Sequence, residues 1–183
     1  ITGNSLTGFT TDANVTINVT GSFLYSSSGA GSSYGSSGTG TVTLNSTGNF
    51  NITSGSYDYT FNAVTQNYNI GGSISLNGST ISNTGLGTIN FTFNGTSPQV
   101  VTNTQTFSFP VTYSILNGAI LDIPGNNFIS SNHASSSLTL NGGGTLRVGS
   151  THASGAIQTG VTAGNIRISS TRTYAAGSTI IYN

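Results

Sequence analysis

The 183-residue chain has no Cys, Met or Trp, and it also lacks Lys and Glu. Without Cys there are no disulfides and no thiolate metal sites, and without Lys there is neither Schiff-base chemistry nor a lysine-derived isopeptide cross-link. Only 3% of residues are charged: Asp12, Asp58, Asp122, Arg147, Arg167 and Arg172, summing to zero. Nucleic-acid binding needs a basic surface to neutralise phosphates, and none exists here. No apolar run approaches the roughly 20 residues that span a bilayer. No segment of ten or more residues carries an apolar stripe at helical spacing.

What is present is Thr (30), Ser (29), Gly (26) and Asn (21), together 106 of the 183 residues. Such a composition belongs either to disorder or to repetitive β-structure. Disordered chains combine low hydrophobicity with high net charge. Here 34% of residues are hydrophobic, with 8 Tyr and 9 Phe, and they fall in short alternating runs, so order is expected. A surface this neutral protects a monomer poorly against association, which points to a molecule that is normally assembled, glycosylated or anchored. The chain opens at Ile1 without an initiator Met, and it reads as a processed product or an excised segment. Seven Asn-x-Ser/Thr triplets, at Asn14, Asn18, Asn45, Asn51, Asn77, Asn90 and Asn94, are potential glycan acceptors for a secreted protein.

Period-two alternation dominates. It predicts strands over 14–25, 40–53, 57–61, 72–82, 87–93, 99–109, 111–123, 137–148, 165–169 and 178–182, bounded by Gly, Asn and Ser. The Ser/Gly run 26–38 reads as a flexible loop. Two arrangements compete. Asn77-Gly78, Asn94-Gly95, Asn117-Gly118 and Asn141-Gly142 each follow an apolar residue, a hairpin signal. The same dipeptides recur at spacings of 17, 23 and 24 residues, the mark of a solenoid. The second half favours the solenoid, because Leu121-Asp122-Ile123, Leu146-Arg147-Val148 and Ile166-Arg167-Ile168 each place a charge between two aliphatics. Alternation turns the aliphatics inward and the charges outward, so Asp122, Arg147 and Arg167 are expected to form one outward column. The interior candidates run from Val15, Ile17 and Val19 through Phe91 and Phe93 to Ile120, Ile180 and Tyr182.

The stretch 87–183, with Phe93-Asn94-Gly95-Thr96, Leu116-Asn117-Gly118-Ala119-Ile120-Leu121-Asp122-Ile123, Leu138-Thr139-Leu140-Asn141-Gly142-Gly143-Gly144-Thr145-Leu146-Arg147-Val148 and Gly164-Asn165-Ile166-Arg167-Ile168, resembles the repeat regions of large secreted surface adhesins of Bacteroidetes. It is similar also to the autotransporter-associated β-strand repeat. The resemblance implies right-handed parallel β-helices that hold binding elements away from the cell, in proteins that end in a type IX sorting domain. No sorting domain is visible here, and the chain stops at Tyr182-Asn183, in what reads as mid-coil.

The expected fold is therefore all-β, a right-handed parallel β-helix over 87–183, with an antiparallel, strand-exchanging, pilin-like sandwich as the alternative. Residues 1–86 are expected to form either a separate β-sandwich or irregular coils. No catalytic, cofactor or metal site is expected: the three Asp are far apart in sequence, and His133 and His152, about one coil apart, lack Cys or acidic neighbours. The expected role is a structural subunit or stalk segment of an extracellular fibre or surface adhesin, partnered by copies of itself or by the rest of a longer chain. A second reading is a glycan-binding module whose Tyr25, Tyr34, Tyr57, Tyr59 and Tyr68 stack on surface sugars. A third is an ice-binding solenoid, suggested by Thr-x-Thr pairs such as Thr41-Val42-Thr43 and Thr104-Gln105-Thr106; the uneven coil spacing argues against it, because a Thr array needs strict repetition.

Overall fold

A computed structural model describes residues 2–3, 9–10, 13–27, 36–37, 39–58, 65–77, 80–83, 87–153, 155–158 and 162–183. Among these residues there is no helix, and every strand pairing is parallel. A seven-stranded sheet holds β3 (Val15–Val19), β6 (Val42–Ser46), β9 (Gln66–Ile70), β12 (Ile89–Phe93), β14 (Val111–Ile115), β17 (Ser137–Leu140) and β20 (Thr171–Tyr174). An eight-stranded sheet holds β1 (Thr2–Gly3), β4 (Phe23–Ser27), β7 (Phe50–Ile52), β10 (Ile74–Leu76), β13 (Pro98–Asn103), β15 (Ile120–Ile123), β18 (Thr145–Val148) and β21 (Thr179–Tyr182). The third side is shorter and interrupted: β2 (Phe9–Thr10) pairs with β5 (Ser36–Ser37), β8 (Ser56–Asp58) with β11 (Thr80–Ser82), and β16 (Ile129–Ser131) with β19 (Ile166–Ile168). The chain visits the seven-stranded sheet, the eight-stranded sheet and the third side in turn, then climbs one strand spacing. This is a parallel β-helix.

Several expectations change on contact with the structure. The runs 14–25, 40–53 and 111–123 are each two strands around a corner, because the chain must turn from one sheet to the next. The hairpin signalled by Asn77-Gly78 does not form: β10 lies between β7 and β13, while β11 pairs with β8. Asn94, Asn117 and Asn141 mark one corner, between the two long sheets, whereas Asn77 follows β10 and marks another. That is why the 17-residue interval is out of step with 23 and 24; it is not a coil length. The expected boundary at 86/87 is bridged by full ladders, β9 with β12 over five residues and β10 with β13 over three, so the described strands before it lie on the same coil. Of the expected loop 26–38, Ser26 and Ser27 belong to β4 and Ser36–Ser37 form β5, while 28–35 and 38 lie outside the described residues.

The core is built from inward residues stacked coil on coil. Leu44, Tyr68, Phe91, Tyr113 and Leu138 oppose one another in register and are buried. Stacking identical positions at one strand spacing, about 4.8 Å, brings rings into contact: Phe23 lies over Phe50 with centroids 5.1 Å apart, and Phe91 over Tyr113 at 5.6 Å. Removing the apolar surface from water stabilises the coil by about 25 cal/mol per Å². Ile120, expected inside, is half-buried and faces outward because Leu121 and Ile123 take the inward places. Tyr182 stands at an inward position but is 67% exposed, since no coil covers β21 on its far side.

The corner between the long sheets needs glycine for two different reasons. At Gly118 (φ +78°) the backbone is left-handed, a region that costs a residue with a Cβ about 1 kcal/mol. At Gly95 the reason is crowding: a Cβ would sit 2.2 Å from the Gly71 carbonyl oxygen of the coil below. Beside it, buried Gln99 occupies the column position that Leu121 holds on the next coil. Its Nε2 donates to the Ile70 and Gly72 carbonyls at 2.7 Å each, and its Oε1 accepts from Gly95 N–H at 2.8 Å. Thus one side chain ties the corners of consecutive coils together.

Candidate functional site

Outward positions of the seven-stranded sheet form two columns. One runs Thr16, Thr43, Asn67, Asn90, Thr112, Ser137, Thr171, and the other Asn18, Asn45, Asn69, Thr92, Ser114, Thr139, Thr173, each residue directly opposite the next. All fourteen are Thr, Asn or Ser. The coil length varies from 22 residues (Ile89 to Val111) to 34 (Ser137 to Thr171), yet the pairing stays residue for residue. The surplus leaves elsewhere: the excursion 149–165 departs after β18 and returns into β19, held by Asn165, whose Nδ2 donates to the Gly125 and Asn127 carbonyls at 3.0 and 2.7 Å.

Asparagines in these columns form amide ladders. Asn45 Nδ2 donates to Asn18 Oδ1 at 2.8 Å, Asn69 Nδ2 to Asn45 Oδ1 at 2.7 Å, and Asn90 Nδ2 to Asn67 Oδ1 at 2.8 Å. Such ladders fix the orientation of each amide, as in stacked cross-β structures. Alongside the second column, at the glycine corner, lies an open groove of about 670 Å³ lined by Asn45, Asn69, Thr92, Asn94, Gly95 and Leu116 among others.

The potential glycan acceptors separate into different settings. Asn18, Asn45 and Asn90 are in the ladders, and a sugar on Asn45 or Asn90 would take one of the two N–H groups of an Nδ2 that donates in a ladder. Asn14 accepts from Thr41 N–H at 2.9 Å. Asn51 faces outward on β7, and exposed Asn77 Nδ2 donates to Ser75 at 3.0 Å. Asn94 is exposed at the corner.

Asp122 and Arg147 are register partners on β15 and β18, but Arg167 does not join them. The place above Arg147 is taken by Ile181, because the chain detours through β19 before returning to this sheet. Arg167 sits opposite Ser130 on the third side, with its guanidinium 3.6 Å from the centroid of the Phe128 ring and its Nε donating to the Gly164 carbonyl at 2.8 Å. Burial there pulls its pKa down from the ordinary arginine value. Asp122 Oδ1 is buried with no hydrogen-bond partner, so the expected pair is a matter of register and not a made contact through that oxygen.

Among the described residues the expected tyrosine face does not form. Tyr25, Tyr57 and Tyr68 are buried, Tyr25 donating to the Ser56 carbonyl at 2.8 Å and Tyr57 meeting Tyr68 hydroxyl to hydroxyl at 3.2 Å; Tyr34 and Tyr59 lie outside the described residues. Alternation had left their direction open, and the aromatic interior claims them. His133 Nδ1 accepts from Ser135 N–H at 3.1 Å in the turn after β16, while exposed His152 lies in the 149–165 excursion, so the two do not stack. Asp12 and the side chain of Asp58 lie outside the described residues.

The far end of the coil is a second notable surface. β20 and β21 are the last strands of their sheets, each paired on one side only. Their inward positions Arg172, Tyr174, Ile180 and Tyr182 stand in register on Leu138, Leu140, Leu146 and Val148, and Tyr174 and Tyr182 are exposed. Protein-family models, curated proteins and solved structures yield no match to this chain.

Sequence reasoning passed over the two polar columns and the Gln99 clamp. The columns do have a signature: a polar Thr, Asn or Ser on each side of one inward residue, as in Thr43-Leu44-Asn45, Asn67-Tyr68-Asn69 and Thr112-Tyr113-Ser114. Gln99 has none, since its role depends on which coil lies beneath it.

Proposed function

We propose that this chain is a structural stalk segment of an extracellular fibre or surface adhesin, lengthened by end-to-end stacking of coils. One observation carries the reading: successive coils pair in parallel and residue for residue, so backbone ladders and inward columns repeat along one axis and the rim of each coil is a template for the next. An open strand edge is a template for further pairing, and a head-to-tail contact of this kind propagates without closing, so it builds a filament. The near absence of charge supports the same reading, because nothing on the chain repels a second copy. Strand exchange of the pilin type is not needed, since an all-parallel coil grows by adding whole coils. The resemblance of 87–183 to surface-adhesin repeats supports the extracellular setting.

The test is sedimentation and negative-stain electron microscopy over a concentration series at neutral pH. Filaments one coil wide are expected, and Tyr182→Lys, which places a charge on the rim, should shift assembly to higher concentration. A wild-type chain that stays monomeric at the highest concentration reached would overturn the reading.

A further inference from the structure

We propose that the outward face of the seven-stranded sheet binds crystalline water, that is, the surface of ice. The inference does not rest on the stalk reading, since the face runs along the coil and not across its ends.

The geometry is a two-dimensional lattice. Neighbouring strands repeat at about 4.8 Å, and outward residues two apart on a strand repeat at about 6.6 Å. Seven in-register strands extend this lattice over six spacings, about 29 Å. The prism face of hexagonal ice repeats at distances of the same order in two perpendicular directions. The uneven coil lengths that argue against a regular array in the sequence do not reach this sheet, because the extra residues leave through other sides of the coil.

The chemistry matches the occupant. None of the fourteen outward positions is charged, and the charged pair Asp122 and Arg147 belongs to the other long sheet. A charge would hold its own hydration shell and disturb a lattice. Hydroxyls and amides both donate and accept, as water does, so a neutral face meets a neutral hydrogen-bonding crystal on equal terms. The groups are also held in place beforehand: the Asn18, Asn45 and Asn69 amides are locked to one another at 2.8 and 2.7 Å. Ordering already achieved in folding need not be supplied by binding. A sugar polymer fits less well, because the aromatic rings of these strands, Tyr68, Phe91 and Tyr113, all point inward, leaving no platform for stacking.

The experiment grows ice slowly from a dilute solution of the labelled chain, below any assembly concentration, and measures the protein in the ice against that in the liquid. Growth of a single crystal in the same solution is watched for faceting. Thr112→Lys and Thr139→Lys place charges on the face, and Thr145→Lys, at an outward position of β18, is the control. Wild type and Thr145→Lys are expected to enter the ice and facet the crystal. The two face variants should be rejected to the liquid while keeping the wild-type circular dichroism spectrum. A wild-type chain rejected from ice like any solute of its size overturns the proposal whatever the variants do. Uptake of all four proteins alike overturns it as well, and so does a wild type rejected by ice yet retained on an insoluble neutral polysaccharide, which would assign the face to a glycan.

Discussion

Replacing Gln99 by Leu tests whether the corner clamp holds consecutive coils together. The side chain is buried and sits where the next coil has Leu121, so the substitution extends an apolar column and looks favourable by composition alone. Its cost lies in the partners. Gly95 N–H and the Gly72 carbonyl each lose the hydrogen bond Gln99 supplies, while the Ile70 carbonyl retains the Asn94 N–H at 3.2 Å. Leaving these two part-buried groups without that partner costs about 1–3 kcal/mol each. Burying leucine returns about 2 kcal/mol. The expected net loss is thus about 2 kcal/mol, read as a lower urea midpoint at unchanged slope, and as a melting temperature lower by about 2–4 °C per kcal/mol for a chain of this size. Gln99→Glu sharpens the test. One carboxyl oxygen can still accept from Gly95, but the other would face two carbonyl oxygens, and only a protonated carboxyl can donate to them. Its folded pKa is then raised above the unfolded value of about 4.3. Stability is fully present below that unfolded value and is lost as pH rises from it through the raised folded pKa, the reverse of ordinary acid denaturation. A Leu variant as stable as wild type, or a Glu variant whose deficit does not change between acid and neutral pH, would refute the clamp.

Three further outcomes follow from the same structure. Gly95→Ala, which drives a Cβ against the Gly71 carbonyl, should cost about 1–3 kcal/mol, whereas Gly118→Ala meets open space and should cost only the left-handed penalty of about 1 kcal/mol; equal costs in urea titrations would contradict the crowding argument. Asn45→Ala breaks the ladder on both sides and should lower stability by about 1–2 kcal/mol in the same assay. Burial pushes the Tyr113 phenol well above the ordinary tyrosine range, so its contribution to stability is present below pH about 10 and is lost as pH rises beyond it. Alkaline unfolding followed by tyrosinate absorbance should therefore shift in Tyr113→Phe, which removes this group's titration at the expense of the bond to the Ser130 carbonyl.

Much of the architecture could be read from residue pattern because a strand's period of two is local. Each run such as Asn90-Phe91-Thr92 states by itself which side chain faces in and which face out. The choice between hairpin and coil was not local. Asn117-Gly118 fits a hairpin turn or a coil corner equally well, and only the parallel neighbours of β14 and β15 decide between them. The same holds for the tyrosines: Tyr57 and Tyr68 are amphipathic and fit either face, and the interior takes them because their hydroxyls can meet each other there.

The sequence by itself determined the all-β class, the inward aliphatic and aromatic columns and the near absence of charge, since these depend only on residue type and on neighbours two positions away. Tertiary structure alone decided which residues stand above one another. It carried Arg167 out of the expected column, set the described strands before residue 87 on the same coil and gathered Thr, Asn and Ser from seven separate strands into one face. The physical reason is that register between coils is set by backbone hydrogen bonds to the strand below, and that strand lies 22 to 34 residues away along the chain.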